Sequence, residues 1–314
     1  MLQVVLVEAF AAGPCRGNGA AVVRLEAPLA DPVLQGLATS LNQSETAFLW
    51  RNDGRWLLRW FTPSREVPLC GHATLAACVA LGHWGLLQPL EPIQLFSRSG
   101  FLPVQLCQTA AGELSRAQIE LPTQGLEASE CPVYLQLLLL ATLGSPPLAF
   151  WRSRLGYAAV LVEPSCRLDT MASLASQLEE SEAQGLVVMQ AVSADAEQGP
   201  MVLDRRADYQ LRFFAPGLGI PEDPVTGSAH ALVAPYWMQI CSRSDVVGWQ
   251  CSPRPGGMVC ERVEGKRIQI TGSAYRLLEG TIHLDTEQAA NGWGSLGLAT
   301  QNDDLPSPMG WTLP

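Results

Sequence analysis

The chain has 314 residues, 47% hydrophobic and only 16% charged. This composition excludes a disordered chain, and the length suits one large or two medium domains with a core that needs no disulfide staples. Twenty Lys and Arg against thirty Asp and Glu give a net charge of −10 with no basic run, which argues against a nucleic-acid or anionic-membrane partner. A small anionic ligand stays compatible, because a pocket can be locally positive inside an acidic protein. The cysteines number nine, an odd count with no C-x-x-C pair, and the chain opens on a strand-like Leu2-Gln3-Val4-Val5 and not on a leader. Reduced thiols in a cytoplasmic protein are the expectation. His72, His83, His230 and His283 show no metal-ligand spacing, so no metal site is expected. The longest apolar run, residues 133–143, is too short to span a bilayer.

In chain order, residues 2–10 and 19–25 are Val- and Leu-rich and predict strands around a Gly/Pro loop. Asp31-Pro32 predicts a helix to about Ser40, with Asp31 as N-cap and Pro32 in the first turn. Residues 44–50 and 56–61 predict a hairpin around Asp53-Gly54. A loop follows. From Gly71 to about Trp84 the residues are apolar on most sides, which predicts a central helix. Strands are expected over 93–99, 102–108 and 115–121. The second half repeats this plan loosely: helix 131–143, strand 157–163, helix 169–180, strands 185–192 and 208–214, a loop and the helix it leads into over 223–241, then strands 258–263, 266–271 and 279–284. The expected class is α+β: two similar domains, 1–124 and 125–286, each a mostly antiparallel sheet around one apolar helix, with an irregular tail over 287–314. The ligand site is expected in the cleft between them.

Two stretches share one layout. Glu66-Val67-Pro68-Leu69-Cys70-Gly71-His72-Ala73-Thr74 and Glu222-Asp223-Pro224-Val225-Thr226-Gly227-Ser228-Ala229 each lead through small residues into an apolar helix. A helix N-terminus carries unpaired N–H groups and a partial positive charge, so two facing starts make a site for a carboxylate. The small residues Gly71, Ala73, Thr74, Gly227, Ser228 and Ala229 let a ligand approach the backbone. The plainer alternative is ordinary capping by Asp223 or Thr226. His72, in a first helical turn, is expected neutral there, and Cys70 is expected to have a lowered pKa. Glu45 suits general acid/base work if it lines the site, although its spacing alone equally suits a surface glutamate. Ser228 and His230 do not form G-x-S-x-G, and no nucleotide-binding glycine motif occurs. No lysine stands out for Schiff-base chemistry.

The ordered set of Asn18 with Ala20-Ala21-Val22-Val23, Ser44-Glu45-Thr46, Gly71-His72-Ala73-Thr74 and Glu222-Asp223-Pro224-Val225-Thr226-Gly227-Ser228-Ala229 resembles the PhzF-like (phenazine biosynthesis-like) isomerase family over most of residues 1–285. The resemblance implies the diaminopimelate epimerase fold, cofactor-independent chemistry and, in several members, a homodimer. It implies that Glu45 moves a proton on the substrate, aided by His72, Asp223 and Ser228, as the family's phenazine enzyme does on a cyclohexadiene carboxylate. It places Asn18 among the substrate-binding residues. The chain departs from the family pattern at Gly19 and Ala73, where proline is usual, and it keeps only Cys70 of the two cysteines that epimerases of this fold carry. The expected function is an isomerase acting on a small carboxylate. An epimerase or racemase using Cys70 as a base, and a non-catalytic metabolite-binding protein on the same scaffold, are the alternatives.

Overall fold

The computed structural model describes residues 1–109, 114–154, 156–171, 174–192 and 199–284. The tail expected over 287–314, and the last two residues of the second expected domain, lie outside them. The class is α+β. The first part runs β1 (Leu2–Ala9), β2 (Asn18–Arg24), α1 (Asp31–Leu41), β3 (Glu45–Asn52), β4 (Arg55–Phe61), β5 (Glu66–Val67), α2 (Gly71–His83), β6 (Pro92–Ser97), β7 (Gly100–Thr109) and β8 (Leu114–Pro122). The chain continues through β9 (Leu126–Ala128), α3 (Val133–Leu143), β10 (Ala149–Ser153), β11 (Ala158–Leu161), α4 (Glu180–Ala183), β12 (Leu186–Ala191), β13 (Met201–Val202), β14 (Arg205–Arg206) and β15 (Tyr209–Ala215). It ends with β16 (Ile220–Glu222), α5 (Gly227–Cys241), β17 (Asp245–Gln250), β18 (Gly256–Arg262) and β19 (Arg267–Ile282).

Strands β1, β2, β3, β4, β6, β7, β8 and β19 hydrogen-bond in that order, and β19 pairs back onto β1, so the ring closes. Helix α2 touches six of the eight strands, β1, β2, β3, β7, β8 and β19. His72 to Leu81 are all buried. Its sequence explains the position: Ala73, Ala76, Ala77 and Ala80 are small enough for strands to close in on every side. A second ladder runs β9, β10, β11, β12, β15, β17, β18, β19, with α5 against β17, β18, β19 and β8. One continuous core holds side chains of both helices, including Leu75, Leu81, Val233 and Trp237.

Several expectations change. The two strands expected over 266–271 and 279–284 are one 16-residue strand, β19. Residues 268–271 pair with β18 on one edge, residues 267–275 with β8 on the other, and residues 274–282 with β1. The helix expected over 169–180 is broken into short turns, Leu168–Thr170 and Leu174–Gln177, before α4. The loop expected from 223 leads into a helix that begins at Gly227. Strands β10 and β17 were not anticipated. Asp31 opens α1 without capping it: Ala30 holds the N-cap position, and the Asp31 carboxylate accepts a 2.8 Å hydrogen bond from Arg59. The Asp53-Gly54 hairpin between β3 and β4 forms as expected.

Since α2 is the axis of the closed ring, its fully buried Leu75 tests the packing. Leu75→Ala is expected to cost about 2–5 kcal/mol, seen as a lower urea midpoint at unchanged slope. A shift worth less than about 0.5 kcal/mol, as at an ordinary surface position, would contradict a close-packed axis.

Candidate active site

The two helix starts meet. A Cβ placed on Gly71 would lie 3.6 Å from the Gly227 Cα, and one placed on Gly227 would lie 3.7 Å from the Gly71 Cα. Larger side chains at these positions would press the helices apart and into Leu121, whose Cδ1 lies 3.1 and 3.3 Å from the same two points. Neither helix has a side-chain cap hydrogen bond. Thr226 occupies the N-cap position of α5, but its hydroxyl donates to Asp223 Oδ2 at 2.5 Å, so capping is not what this threonine does.

Asn18 joins the two starts. Its Nδ2 donates to Asp223 Oδ1 at 2.7 Å and to the Val225 carbonyl at 3.0 Å, and lies 3.1 Å from His72 Nδ1. Its Oδ1 accepts from the Ser44 hydroxyl at 3.0 Å. Asn18 is fully buried, and these bonds brace the segments that carry Ser44, His72 and Asp223. The residue before it must be glycine: Gly17 has φ +81°, and a Cβ there would lie 2.6 Å from the Ala9 carbonyl oxygen. The loop is further tied by the Gly17 N–H to the Arg254 carbonyl at 3.3 Å and by an ion pair between Arg254 and the buried Glu8.

Glu45 opens β3, whose parallel pairing with β2 sets it beside Ala20, at the same end of the sheet as Asn18. Its Oε2 lies 3.0 Å from His72 Nε2, yet the contact lacks hydrogen-bond alignment, and this buried oxygen has no hydrogen-bond partner. Burial pushes the His72 imidazole toward its neutral form, but the Cys70 sulfur and the Glu45 carboxylate push the other way and prevail, so its pKa stands above 6.5. This corrects the neutral histidine expected from the helix dipole: a carboxylate in contact outweighs a partial charge. Cys70 is also corrected. Burial, reinforced by the Glu45 charge, pushes its thiol up to about 11, against the lowering expected at a helix start. Burial pushes Asp223 up to about 6, opposed by the His72 charge and reinforced by that of Glu45.

Glu45, His72 and Asp223 are therefore brought together, with Asn18 among them. Ser228 stands half-buried on the first turn of α5, near the Tyr157 phenol. Thr74 Oγ1 donates to the Cys70 carbonyl at 2.5 Å, and Ala73 and Ala229 are fully buried. His230 is turned away to the Tyr209 hydroxyl at 2.8 Å, and burial holds its pKa down at about 3, so no serine–histidine pair exists.

Two participants were missed from the sequence. Gln250, fully buried at the end of β17, accepts from the Thr226 N–H at 2.8 Å and donates to the Asp223 carbonyl at 2.6 Å, bracing the turn that carries Asp223. A polar side chain ending a strand-like Val-Val-Gly-Trp run was its only signal. Tyr157, packed on Phe213 with ring centroids 4.9 Å apart, places its phenol within electrostatic reach of Asp223, Cys70 and Glu45. Nothing in its local sequence marked it.

The donor atoms of Glu45, Cys70 and His72 lie within 4.8 Å of one another, close enough for a metal ion. The three side chains meet at one imidazole, with Glu45 Oε2 3.0 Å from His72 Nε2 and Cys70 Sγ 3.5 Å from its Nδ1, a grouping the sequence spacing of the histidines did not show.

The chain matches, over residues 7–280, the profile of the PhzC-PhzF family, described as phenazine biosynthesis-like protein. It is 38% identical over 283 residues to a Pseudomonas aeruginosa protein described as an uncharacterized isomerase, covering 88% of this chain and 97% of that one. Among solved structures, it superposes on a PhzF-family phenazine biosynthesis protein from Enterococcus faecalis with TM-score 0.72 and 29% identity, covering 90% of this chain and 99% of that one. A hydroxyproline epimerase from Agrobacterium vitis with bound trans-4-hydroxy-L-proline shares the fold, with TM-score 0.56 and 10% identity over 89% of this chain and 91% of that one.

Asp223 gives a prediction with a definite sign. Its folded pKa of about 6 lies above the ordinary 3.8, so the folded state holds the proton more tightly than the unfolded state. Its contribution to stability is then full below about pH 4 and lost as pH rises through about 6. Relative to Asp223→Asn, the wild type is expected to lose about 3 kcal/mol of unfolding free energy between about pH 4 and pH 7. Parallel pH–stability curves for the two proteins would contradict a raised Asp223.

Proposed function

We infer that this chain, which belongs to the PhzC-PhzF family of phenazine biosynthesis-like proteins, is an isomerase that moves a proton on a small carboxylic acid without a cofactor. The observation that carries the reading is the Glu45 carboxylate, whose buried Oε2 is ion-paired with His72 Nε2 at 3.0 Å and accepts no aligned hydrogen bond. A buried oxygen left without a hydrogen bond is costly in a fold that satisfies nearly all others, and such exceptions concentrate at working sites. The isomerase name of the Pseudomonas aeruginosa relative and the epimerase fold support the same class of chemistry.

In this reading Glu45, ionised, takes a proton from a substrate carbon. The freed electron pair moves through the unsaturated system onto the substrate carboxylate, and the protonated Glu45 then returns the proton to another carbon. The helix starts at Gly71 and Gly227 stabilise the charge that develops on the carboxylate oxygens. His72 holds the Glu45 carboxylate in place and offsets its charge. Asp223, with a pKa of about 6, can give or take a proton near neutral pH. Ser228 and Tyr157 supply hydroxyl groups at the start of α5. We place the substrate in a cleft between two similar halves, 1–124 and 125–286, wrapped around α2 and α5. The protein is taken to be cytoplasmic and homodimeric. All nine cysteines are free, in keeping with a reducing compartment, and among the described residues no helix is long and apolar enough to cross a membrane.

The rival base is Cys70, whose sulfur lies 3.5 Å from His72 Nδ1. A thiol pushed up to about 11 is a poor base near neutral pH, which favours Glu45. The test is incorporation of solvent deuterium into a panel of small carboxylic acids, followed by NMR. Glu45→Gln is expected to keep its fold and its ligand binding while exchange falls by about 10²–10⁴-fold. Cys70→Ala is expected to leave exchange nearly unchanged. Wild-type exchange in Glu45→Gln would remove its role, loss of exchange in Cys70→Ala alone would favour the thiol, and a ligand bound without exchange would mark a binding protein.

A further inference from the structure

The two halves share a second layout, one strand ahead of each helix start. Residues 58–63 read Leu-Arg-Trp-Phe-Thr-Pro, and residues 211–216 read Leu-Arg-Phe-Phe-Ala-Pro. Residues 66–71 and 222–227 then share the pattern Glu-x-Pro-x-x-Gly, whose glycine opens α2 or α5. The fold uses both copies alike. Strand β5 turns back on β4 with Glu66 opposite Phe61, and β16 turns back on β15 with Glu222 opposite Phe214. In each copy the arginine stands two residues before that phenylalanine, which makes it a diagonal neighbour of the glutamate on one face. Arg59 Nε and Nη2 each donate to the Glu66 carboxylate at 2.7 Å. Arg212 Nε and Nη2 donate to the Glu222 carboxylate at 2.7 and 2.5 Å. Both guanidinium groups lie over the phenylalanine ring, 5.0 Å from the Phe61 centroid and 5.1 Å from that of Phe214.

The second fork bears directly on the site. Arg212 is 1% exposed, and its Nη1 donates to the Leu168 carbonyl at 2.7 Å. Asp223 follows Glu222 in the chain, and its N–H donates at 3.1 Å to the carbonyl of Phe213, the residue after Arg212. The fork thus fixes the chain just ahead of Asp223, while Gln250 braces the turn that follows it. The first half has Val67 at the position that matches Asp223. A buried ion pair is weak ground for stability, because apolar side chains of like volume often serve as well. Apolar side chains cannot supply the planar pair of parallel hydrogen bonds, which sets both the distance and the angle between the two strands. That the same fork, register and ring recur ahead of the other helix start marks the geometry, and not the charge, as what the pair provides.

We propose that Arg212 is a positioning residue for the candidate active site: its fork to Glu222 fixes β16 and so sets where Asp223 and the first turn of α5 stand against α2. The proposal rests on the isomerase reading for its effect on turnover, but not for the placing of Asp223. Two variants of the full chain test it. Arg212→Lys keeps the charge and lacks the fork. The double variant Arg212→Met, Glu222→Met removes both charges at once, so net charge is unchanged and a change at Asp223 reports its position. Urea unfolding reads stability, and ¹³C NMR of the Asp223 carboxyl, assigned by its loss in Asp223→Asn, reads its titration. Deuterium exchange into the panel of small carboxylic acids reads turnover. The double variant is expected to unfold at the wild-type urea midpoint. Its Asp223 is expected to titrate about one pH unit or more below the wild-type value of about 6, toward 3.8, as the loosened carboxyl gains water. Exchange should fall about 10²-fold in kcat with KM nearly unchanged, and Arg212→Lys should show the same losses. Wild-type Asp223 titration in the double variant would overturn the proposal. So would a shift that appears only together with a lowered urea midpoint, which is ordinary loss of packing, or full recovery in Arg212→Lys, which would leave Arg212 a mere charge. A wild type that exchanges no deuterium would count against the isomerase reading alone, and the Asp223 titration would still decide the role of the fork.

Discussion

Everything at the site depends on how closely the two central helices approach at their N-termini. Gly71 and Gly227 nearly touch, so two sets of N–H groups and two partial positive charges point into one small space. Like poles at this range repel, and the fold holds them by clamping the segments just ahead of each helix. Asn18 is the clamp: one amide reaches the turn before α5 and the first turn of α2. Gly17 lets the chain reach that position, Gln250 stiffens the turn from behind, and β19 ties the ladders around both helices to each other.

The same geometry sets the protonation. Glu45, His72 and Asp223 come from three separate segments and are pressed together with little water. Two carboxylates compete for one imidazole. Burial and the neighbouring Glu45 keep Asp223 higher than an ordinary aspartate, while His72 is kept above an ordinary histidine. Such a cluster is poor for stability, because each charged form is partly desolvated. Perturbed titratable groups gathered in this way mark a candidate site.

Much of the fold could be read from the sequence because its signals are local. Glycines and small residues marked both helix starts, Asp53-Gly54 marked the hairpin, and apolar residues on all sides marked α2 and α5 as central. What escaped was long-range. That residues 274–282 complete the ring around α2 depends on pairing with β1 at the other end of the chain, and no window of sequence carries that. Glu45 was singled out only through resemblance, since its partner His72 is far along the chain. The bracing by Asn18 and the placing of Gln250 and Tyr157 depend on tertiary neighbours. The directions for Cys70 and His72 were misjudged because a helix dipole can be read from sequence, whereas burial and a touching carboxylate cannot.

The most direct test of the central claim is a crystal structure with a small unsaturated carboxylic acid bound. The acid's carboxylate oxygens should lie on the backbone N–H groups that open α2 and α5, and its proton-bearing carbon should lie within about 3.5 Å of Glu45 Oε2. A ligand seated elsewhere, such as in the groove of about 550 Å³ lined by Asp31, Gln35, Thr39 and Phe61, with the N–H groups that open α2 and α5 left without it, would contradict it.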